Sequence, residues 1–347
     1  MKSKNLFKIL RSKGFMNVKL DNIIESKYVL KRSGGSYRQF LFSFYDQNQK
    51  EWSLVPDLSV SSVVKFIQNK INTKTKWFYT GEAYRKQNKN YNAPIINQTG
   101  FEIFASNDKI KDDKEIIQTS IEIFKKSKFK KGELNISNIE IFNALIDRLS
   151  LALRWKERIK RHFCREAYFN ELLRKLSSDT DINFAEVEKD KKIAEKFRKQ
   201  KPSTLYSGRA LKDILERFDL KNFKEPRSIA DKKSVKIIKN YLKISCSIDN
   251  APSTLNKFFK KNKLNLFISD DYFPVVKTIN RKIKINFSSN INRSLEYYSG
   301  MVFNITVNKK GKKFSLISGG RYDGLLKNLG SKKNTTAVGA AIDMSLL

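Results

Sequence analysis

The chain has 347 residues, with 70 lysines and arginines against 35 aspartates and glutamates, so its formal net charge is +35 at pH 7. That excess invites a polyanionic partner, yet 40% hydrophobic residues, 25 Phe and only 14 Gly and 6 Pro exclude a disordered polycation. Two distant cysteines, Cys164 and Cys246, and one histidine, His162, argue against a disulfide scaffold, the common zinc sites and a Ser/His/Asp triad, and no apolar run is long enough for a membrane span. No cofactor is expected, and a soluble, cytoplasmic protein is.

The length suits roughly two domains of about 150 residues, or one larger domain with an insertion. Apolar positions Phe7, Ile9, Leu10 and Phe15, with a stop at Gly14, predict an amphipathic helix over residues 7–17. Gly34 and Gly35 mark a turn, and residues 39–45 and 51–55 alternate as strands before Pro56. A helical period returns over 59–69, and strands at 77–84 and 95–105 flank a polar loop at 86–94. Then come a helix at 114–126, a short strand at 133–136, and helices at 139–149, 155–163, 167–176, 184–199, 208–218, 232–241 and 253–261. Strands resume at 282–287, 298–307 and 312–317, the last two joined around Gly311. Gly319 and Gly320 are expected to break that hairpin before a short helix at 322–329 and a final strand at 337–342. Strand-rich ends around a helical middle predict an α+β fold: a core in two parts, 1–134 and 253–347, interrupted by a mainly helical insertion at 135–252.

Lysine, asparagine, isoleucine and phenylalanine abound along the whole chain, as codon drift in an AT-biased genome produces. The dense runs at 125–131 and 189–201 mix cations with apolar residues at helical spacing, as solvated helix faces do. The charge is therefore expected to be mainly compositional.

Four clusters place charged or amide side chains in otherwise apolar strands: 56–59, 79–85, 97–102 and 293–298. Buried charges must be paired or meet a charged ligand. Arginine beside carboxylates and amides suits a zwitterionic amino acid, whereas the bland alternative is a network of internal ion pairs. No GxxxxGK[ST] or GxGxxG phosphate loop is present. Gly319 to Gly324, with Arg321, would either meet an anion at a helix N-terminus or serve only as a tight hairpin exit.

The segments WFYTGEAYR (77–85) and NQTGFEIF (97–104) resemble motif 2 of histidyl-tRNA synthetases. RSLEYYSG (293–300) is similar to that family's RGLDYYTG histidine motif, and SGGRYDGL (318–325) to the segment leading into motif 3. The resemblance runs from Gly14 to the end and implies a class II aminoacyl-tRNA synthetase-like fold, an antiparallel sheet flanked by helices. It implies that Asp57, Ser59 and Gln98 hold the α-ammonium of histidine, that Glu102 and Tyr298 bond its imidazole, and that Arg293 pairs with its carboxylate, with Arg85 and Tyr297 completing the pocket. Asp57 stands where the family has Glu, which weakens the ammonium contact or calls for a bridging water.

Other departures touch catalysis. Adenylation needs arginines and Mg²⁺ on the triphosphate. Arg85 keeps the motif 2 arginine, but the adenine-binding Glu aligns with Gln87, the basic loop with Ala93, Pro94 and Ile95, and the motif 3 arginine with Leu346. No anticodon-binding domain is expected after motif 3. This pattern is similar to the ATP phosphoribosyltransferase regulatory subunits, synthetase paralogues that pair with a short-form catalytic subunit in histidine biosynthesis, and the block 133–176 resembles those of alphaproteobacterial type. The resemblance implies L-histidine as allosteric ligand, a self-dimer within a hetero-octamer, and no specific tRNA binding. Arg293, often lost in regulatory subunits, is retained, and no proline stands at motif 1 before Pro56. A divergent synthetase or histidine-activating enzyme is the alternative.

Overall fold

The computed structural model describes residues 3–33, 35–86, 95–177, 192–200, 205–206, 209–212, 214–215, 231–273, 283–291, 297–331 and 335–347. In chain order the elements are α1 (Ser3–Ser12), β1 (Met16–Asn17), β2 (Ile23–Glu25), α2 (Ser26–Ser33), β3 (Ser43–Tyr45), β4 (Glu51–Leu54), α3 (Leu58–Gln68), β5 (Thr75–Tyr84), β6 (Ile95–Phe104), α4 (Lys109–Lys125) and β7 (Gly132–Asn138). They continue as α5 (Ile139–Arg148), α6 (Leu153–His162), α7 (Glu166–Ser177), β8 (Leu205–Tyr206), β9 (Arg209–Ala210), α8 (Asp231–Tyr241), β10 (Ser245–Ser247) and α9 (Ala251–Lys261). The last are β11 (Ile283–Ser288), β12 (Met301–Lys309), β13 (Lys312–Arg321), α10 (Asp323–Asn328) and β14 (Ala337–Asp343).

The chain forms two compact units. The first comprises Met1–Ile141, Ile244–Lys257 and Phe267–Leu347. It holds a nine-stranded sheet in the order β1-β5-β6-β14-β13-β12-β7-β11-β10 and a three-stranded sheet β2-β4-β3. The large sheet is mixed rather than purely antiparallel: β1 runs parallel to β5 and β11 parallel to β7. Both parallel pairs join strands separated by long, partly helical connections, which the antiparallel hairpin rule does not reach. The second unit, Phe142–Lys243 with Phe258–Leu266, is mainly helical and packs on aromatic contacts, with Phe142 stacked on Phe163 at 3.8 Å and 6.1 Å from Tyr241.

The two faces of the large sheet bury different sets. On one, Trp77 and Phe104 close on Phe66 of α3, with Phe66 stacked on Phe104 at 4.6 Å. On the other, Phe78 meets Phe7 of α1 and Phe101 meets Phe15. Residues opposite each other in register share a face, so Trp77, Glu102, Gly339, Gly320 and Val302 stand abreast on the α3 side of β5, β6, β14, β13 and β12.

Several boundaries differ from expectation. The first helix ends at Ser12, and Gly14 (φ +80) turns the chain into β1, so residues 13–17 are not helical. Residues 35–40 form a 3-10 turn, leaving only Ser43–Tyr45 as strand. Gly319 and Gly320 lie inside β13 instead of breaking the hairpin. A Cβ at Gly319 would sit 2.4 Å from the Gly339 carbonyl oxygen, and one at Gly320 2.6 Å from that of Met301. These glycines permit close packing rather than a turn. The expected helices at 184–199 and 208–218 fall largely outside the described residues; within them 192–198, 211–212 and 214–215 are helical, while Arg209–Ala210 pairs with Leu205–Tyr206 as a strand.

Helix α4 is tied to the rest of its unit by carboxylates. Asp112 meets Lys74 (2.6 Å), Glu122 meets Lys13 (2.9 Å), and Glu115 meets Lys76. Asp113 accepts from Nε and Nη2 of Arg321, at 2.9 and 2.5 Å, and Asp323 also pairs with Arg321. Burial outweighs the neighbouring guanidinium and lifts the Asp113 carboxyl to about 6. Arg321 therefore neither faces an incoming anion nor merely exits a hairpin; it is a buried pair, 3% exposed. Removing one partner of such a pair strands the other charge and costs about 3–5 kcal/mol. Arg321→Ala should lose that much in urea denaturation, and the double change Arg321→Met with Asp113→Leu should recover most of it; a single-variant loss near zero would contradict the assignment.

Candidate functional site

The site begins at the N-terminus of α3. Tyr84 N donates to the Val55 carbonyl (2.8 Å) and Arg85 Nε to that of Pro56 (2.7 Å), which clamps the loop to the end of β5. Asp57 then caps α3, its carboxylate accepting from Ser59 N (3.0 Å), and the positive end of the helix favours that negative charge.

Ser59, the second residue of α3, donates its hydroxyl to Glu102 Oε1 at 2.9 Å. Tyr79 OH donates to the same oxygen at 2.6 Å, and Tyr322 OH bonds Oε2. Glu102 is fully buried, and among the described residues no cation pairs with it. Burial raises its carboxyl to about 7 although three hydroxyls favour the charged form; the Asp57 charge pushes it further up. Burial, followed by the charge of Glu102, drives the Tyr79 and Tyr322 phenols well above their ordinary value, so both stay protonated donors.

Glycines make the space. A Cβ at Gly339 would lie 1.4 Å from Glu102 Oε2, one at Gly100 2.4 Å from the Tyr79 ring, and one at Gly320 2.9 Å from the Tyr298 ring. Side chains on β5, β6 and the 297–298 segment thus lie across bare backbone of the adjoining strands. Tyr297 OH reaches Asp57 Oδ2 at 3.4 Å, and its ring stands edge-on to Tyr322 at 5.6 Å.

Of the residues expected in the pocket, Asp57, Ser59, Glu102, Tyr297 and Tyr298 come together. Gln98 shares the face of Glu102, opposite Gly81, but is half-buried two rungs along β6. Arg85 holds the Pro56 carbonyl. Arg293, like Gln87, Ala93 and Pro94, lies outside the described residues. Sequence reasoning assigned no role to Tyr79 and Tyr322, although both stand in quoted motifs. The available signal was tyrosine next to glycine-bearing strands, where a long side chain can lie across the sheet.

The arrangement is rich in acceptors: two carboxylates, one held in an apolar, hydroxyl-lined recess and one capping the α3 N-terminus. It suits a ligand bearing an ammonium or several N–H donors. Among the described residues no three His, Cys, Asp or Glu side chains converge on a metal position, and no helix is long and apolar enough to cross a membrane.

Glu102 makes stability pH-dependent with a definite sign. Its carboxyl titrates near 4.5 when unfolded and near 7 when folded. Below the lower value both states hold the proton. As pH rises towards the upper value the unfolded state ionises first, so stability falls, by on the order of 3 kcal/mol. Glu102→Gln should abolish that fall, its stability relative to the parent rising between pH 4.5 and 7 and then levelling; parallel melting-temperature curves for the two proteins would contradict the buried carboxylate.

The family described as histidyl-tRNA synthetase matches residues 2–220 and 190–347 of the chain. The ATP phosphoribosyltransferase regulatory subunit of Sinorhizobium fredii is 22% identical over 337 residues, 90% of this chain and 86% of that protein. The histidine–tRNA ligase of Prochlorococcus marinus is 25% identical over 312 residues, 88% of this chain and 57% of that protein. The crystal structure of an ATP phosphoribosyltransferase regulatory subunit/histidyl-tRNA synthetase from Bacillus halodurans superposes with a TM-score of 0.61 at 16% identity, covering 99% of this chain and 76% of that one. That likeness gives the fold, a class II synthetase-like sheet with helices. With the family match spanning both parts of the sheet that carries Glu102 and its hydroxyls, the chain belongs to the histidyl-tRNA synthetase family.

Proposed function

We propose that the chain is a non-catalytic regulatory subunit of ATP phosphoribosyltransferase, which binds histidine and a short-form catalytic subunit and conveys feedback inhibition. The observation that carries this reading is an asymmetry in the site. The amino-acid end keeps a buried acceptor, Glu102, with three hydroxyls in place, while Leu346, at the position of the family's motif 3 arginine, is an apolar side chain only 6% exposed. Each lost charge-stabilising donor costs a rate of about 10²- to 10³-fold, so the nucleotide end is poorly equipped for adenylation. Relatives named as regulatory subunits, matched over most of their length, support the same role.

In this reading Glu102 accepts an imidazole N–H, Asp57 with Ser59 receives the ammonium, and Arg293 receives the carboxylate. Tyr79, Tyr322 and Ser59 hold Glu102 in place. Feedback requires histidine to favour one state of the assembly, typically by about 1–3 kcal/mol of coupling. The assembly in this proposal is a hetero-octamer of regulatory and catalytic chains.

One observation favours the enzymatic alternative: Arg85, the motif 2 arginine, is retained beside the site. Two measurements separate the readings. Mixed with a short-form catalytic subunit, the chain should stimulate phosphoribosyl-ATP formation and make it histidine-sensitive, whereas the chain alone should show no histidine-dependent pyrophosphate exchange; robust exchange would overturn the regulatory reading. Glu102→Ala and Arg293→Ala should each abolish the histidine response while keeping the folded circular-dichroism spectrum, and Arg85→Ala should affect it less. Unchanged histidine affinity in either of the first two would show that the pocket lies elsewhere.

A further inference from the structure

Two lysine runs that look like ordinary solvated surface in the sequence meet at one end of the large sheet. β7 begins directly after the 125–131 stretch, which holds five lysines. β12 and β13 join through a tight turn at Lys310 (φ 51) and Gly311 (φ 76), with Lys309 directly opposite Lys312. The strand order β13-β12-β7-β11 sets these starts and ends side by side, and Glu133 on β7 faces both Thr306 on β12 and Lys284 on β11. Lys313 Nζ reaches Glu133 at 2.5 Å, the one ion pair in this cluster among the described residues.

Part of the cluster has a local explanation, since Lys125 and Lys126 end α4, where cations suit the helix dipole. Apart from Lys313, paired with Glu133, the remainder does not. Neighbouring strands lie about 4.8 Å apart, inside the Debye length of about 8 Å at physiological salt, so cations on them repel with little screening. An apposed polyanion relieves that repulsion. The cations are all lysine, with no arginine; lysine neutralises phosphate as a point charge and is depleted in protein–protein interfaces. Two aromatic rings lie among them: Phe314 on β13, 37% exposed, and Phe129, with Lys128 Nζ 5.6 Å from its centroid. Cations interleaved with rings, Phe314 exposed and Phe129 half-buried, are the combination that holds a backbone and stacks bases.

We propose that this end of the sheet binds the phosphate backbone of single-stranded nucleic acid without reading its sequence. It is separate from the histidine pocket and does not depend on it.

The test uses the full chain and a labelled oligouridylate of about 20 nucleotides, titrated by fluorescence anisotropy between about 50 and 200 mM salt. The triple change Lys128→Glu, Lys309→Glu and Lys312→Glu should weaken binding at least tenfold and reduce the slope of log K against log salt by about 2, from roughly 0.7 per lost phosphate contact. A control of equal charge change, Lys4→Glu, Lys8→Glu and Arg11→Glu on the exposed face of α1, should weaken it less than threefold. Phe314→Ala should cost about fivefold or more through lost stacking. Equal weakening by both triple variants would reduce the effect to net charge and overturn the site, and an unchanged affinity for Phe314→Ala would overturn the single-strand assignment. A first triple variant that keeps its RNA affinity but releases the catalytic subunit would identify an acidic protein face instead, and would also overturn the proposal.

Discussion

Among the described residues, the carboxylate on which the site depends is held in an apolar recess by hydroxyls alone. Three O–H donors converge on Glu102, and among the described residues no cation joins them. A guanidinium in that place would neutralise the group and consume its acceptor capacity; hydroxyls orient it and leave the charge available to whatever enters. The cost is the desolvation that lifts its carboxyl to about 7; the phenols' own burial, followed by the charge of Glu102, holds Tyr79 and Tyr322 protonated. The rest of the unit serves that contact. α3 presents Ser59, the β5–β6 pair sets Tyr79 beside Glu102, and β13 hands the chain to Tyr322 two strands away.

Carboxylates are scarce in this chain, and the structure concentrates them where a charge must be answered. α4 uses Asp112, Asp113, Glu115 and Glu122 to reach four different basic residues on the loop before β5, on β13, on β5 and at the end of α1. The Arg321 pair has a second effect. The Arg321 carbonyl accepts from Ser299 N, and Ser299 Oγ accepts from Asp323 N, so the ion pair on one face of the sheet fixes the segment that brings Tyr297 and Tyr298 to the other.

Much of this was legible from residues alone, because local pattern and motif coincide. The alternation of β5 and β6, the carboxylate of Glu102 in an apolar strand and the Asp57–Ser59 start of α3 all carry their own signals. What escaped depends on contacts between distant residues. Tyr322 reaches Glu102 across 220 positions, and nothing near Tyr322 in the chain announces it. Gly319 and Gly320 look like a turn because glycine most often makes one, whereas their function here is to let β12 and β14 approach. The parallel pairing of β7 with β11 and of β1 with β5 is equally invisible to local periodicity, since a strand's own alternation does not encode its neighbour's direction.

Gly100, Gly339 and Gly320 lie on adjacent strands, each roofed by the side chain of another residue. The surface beneath Tyr79, Glu102 and Tyr298 is therefore main chain, and main chain cannot be resized by substitution. A larger residue at Gly339 collides with Glu102 itself, and no smaller one exists. Drift of this pocket towards a different ligand is therefore left to the side chains above those glycines, Glu102 and Tyr79 with the Val55–Ser59 turn and the Tyr297–Tyr298 segment, so variation among relatives that recognise different molecules should collect there while the glycines stay constant.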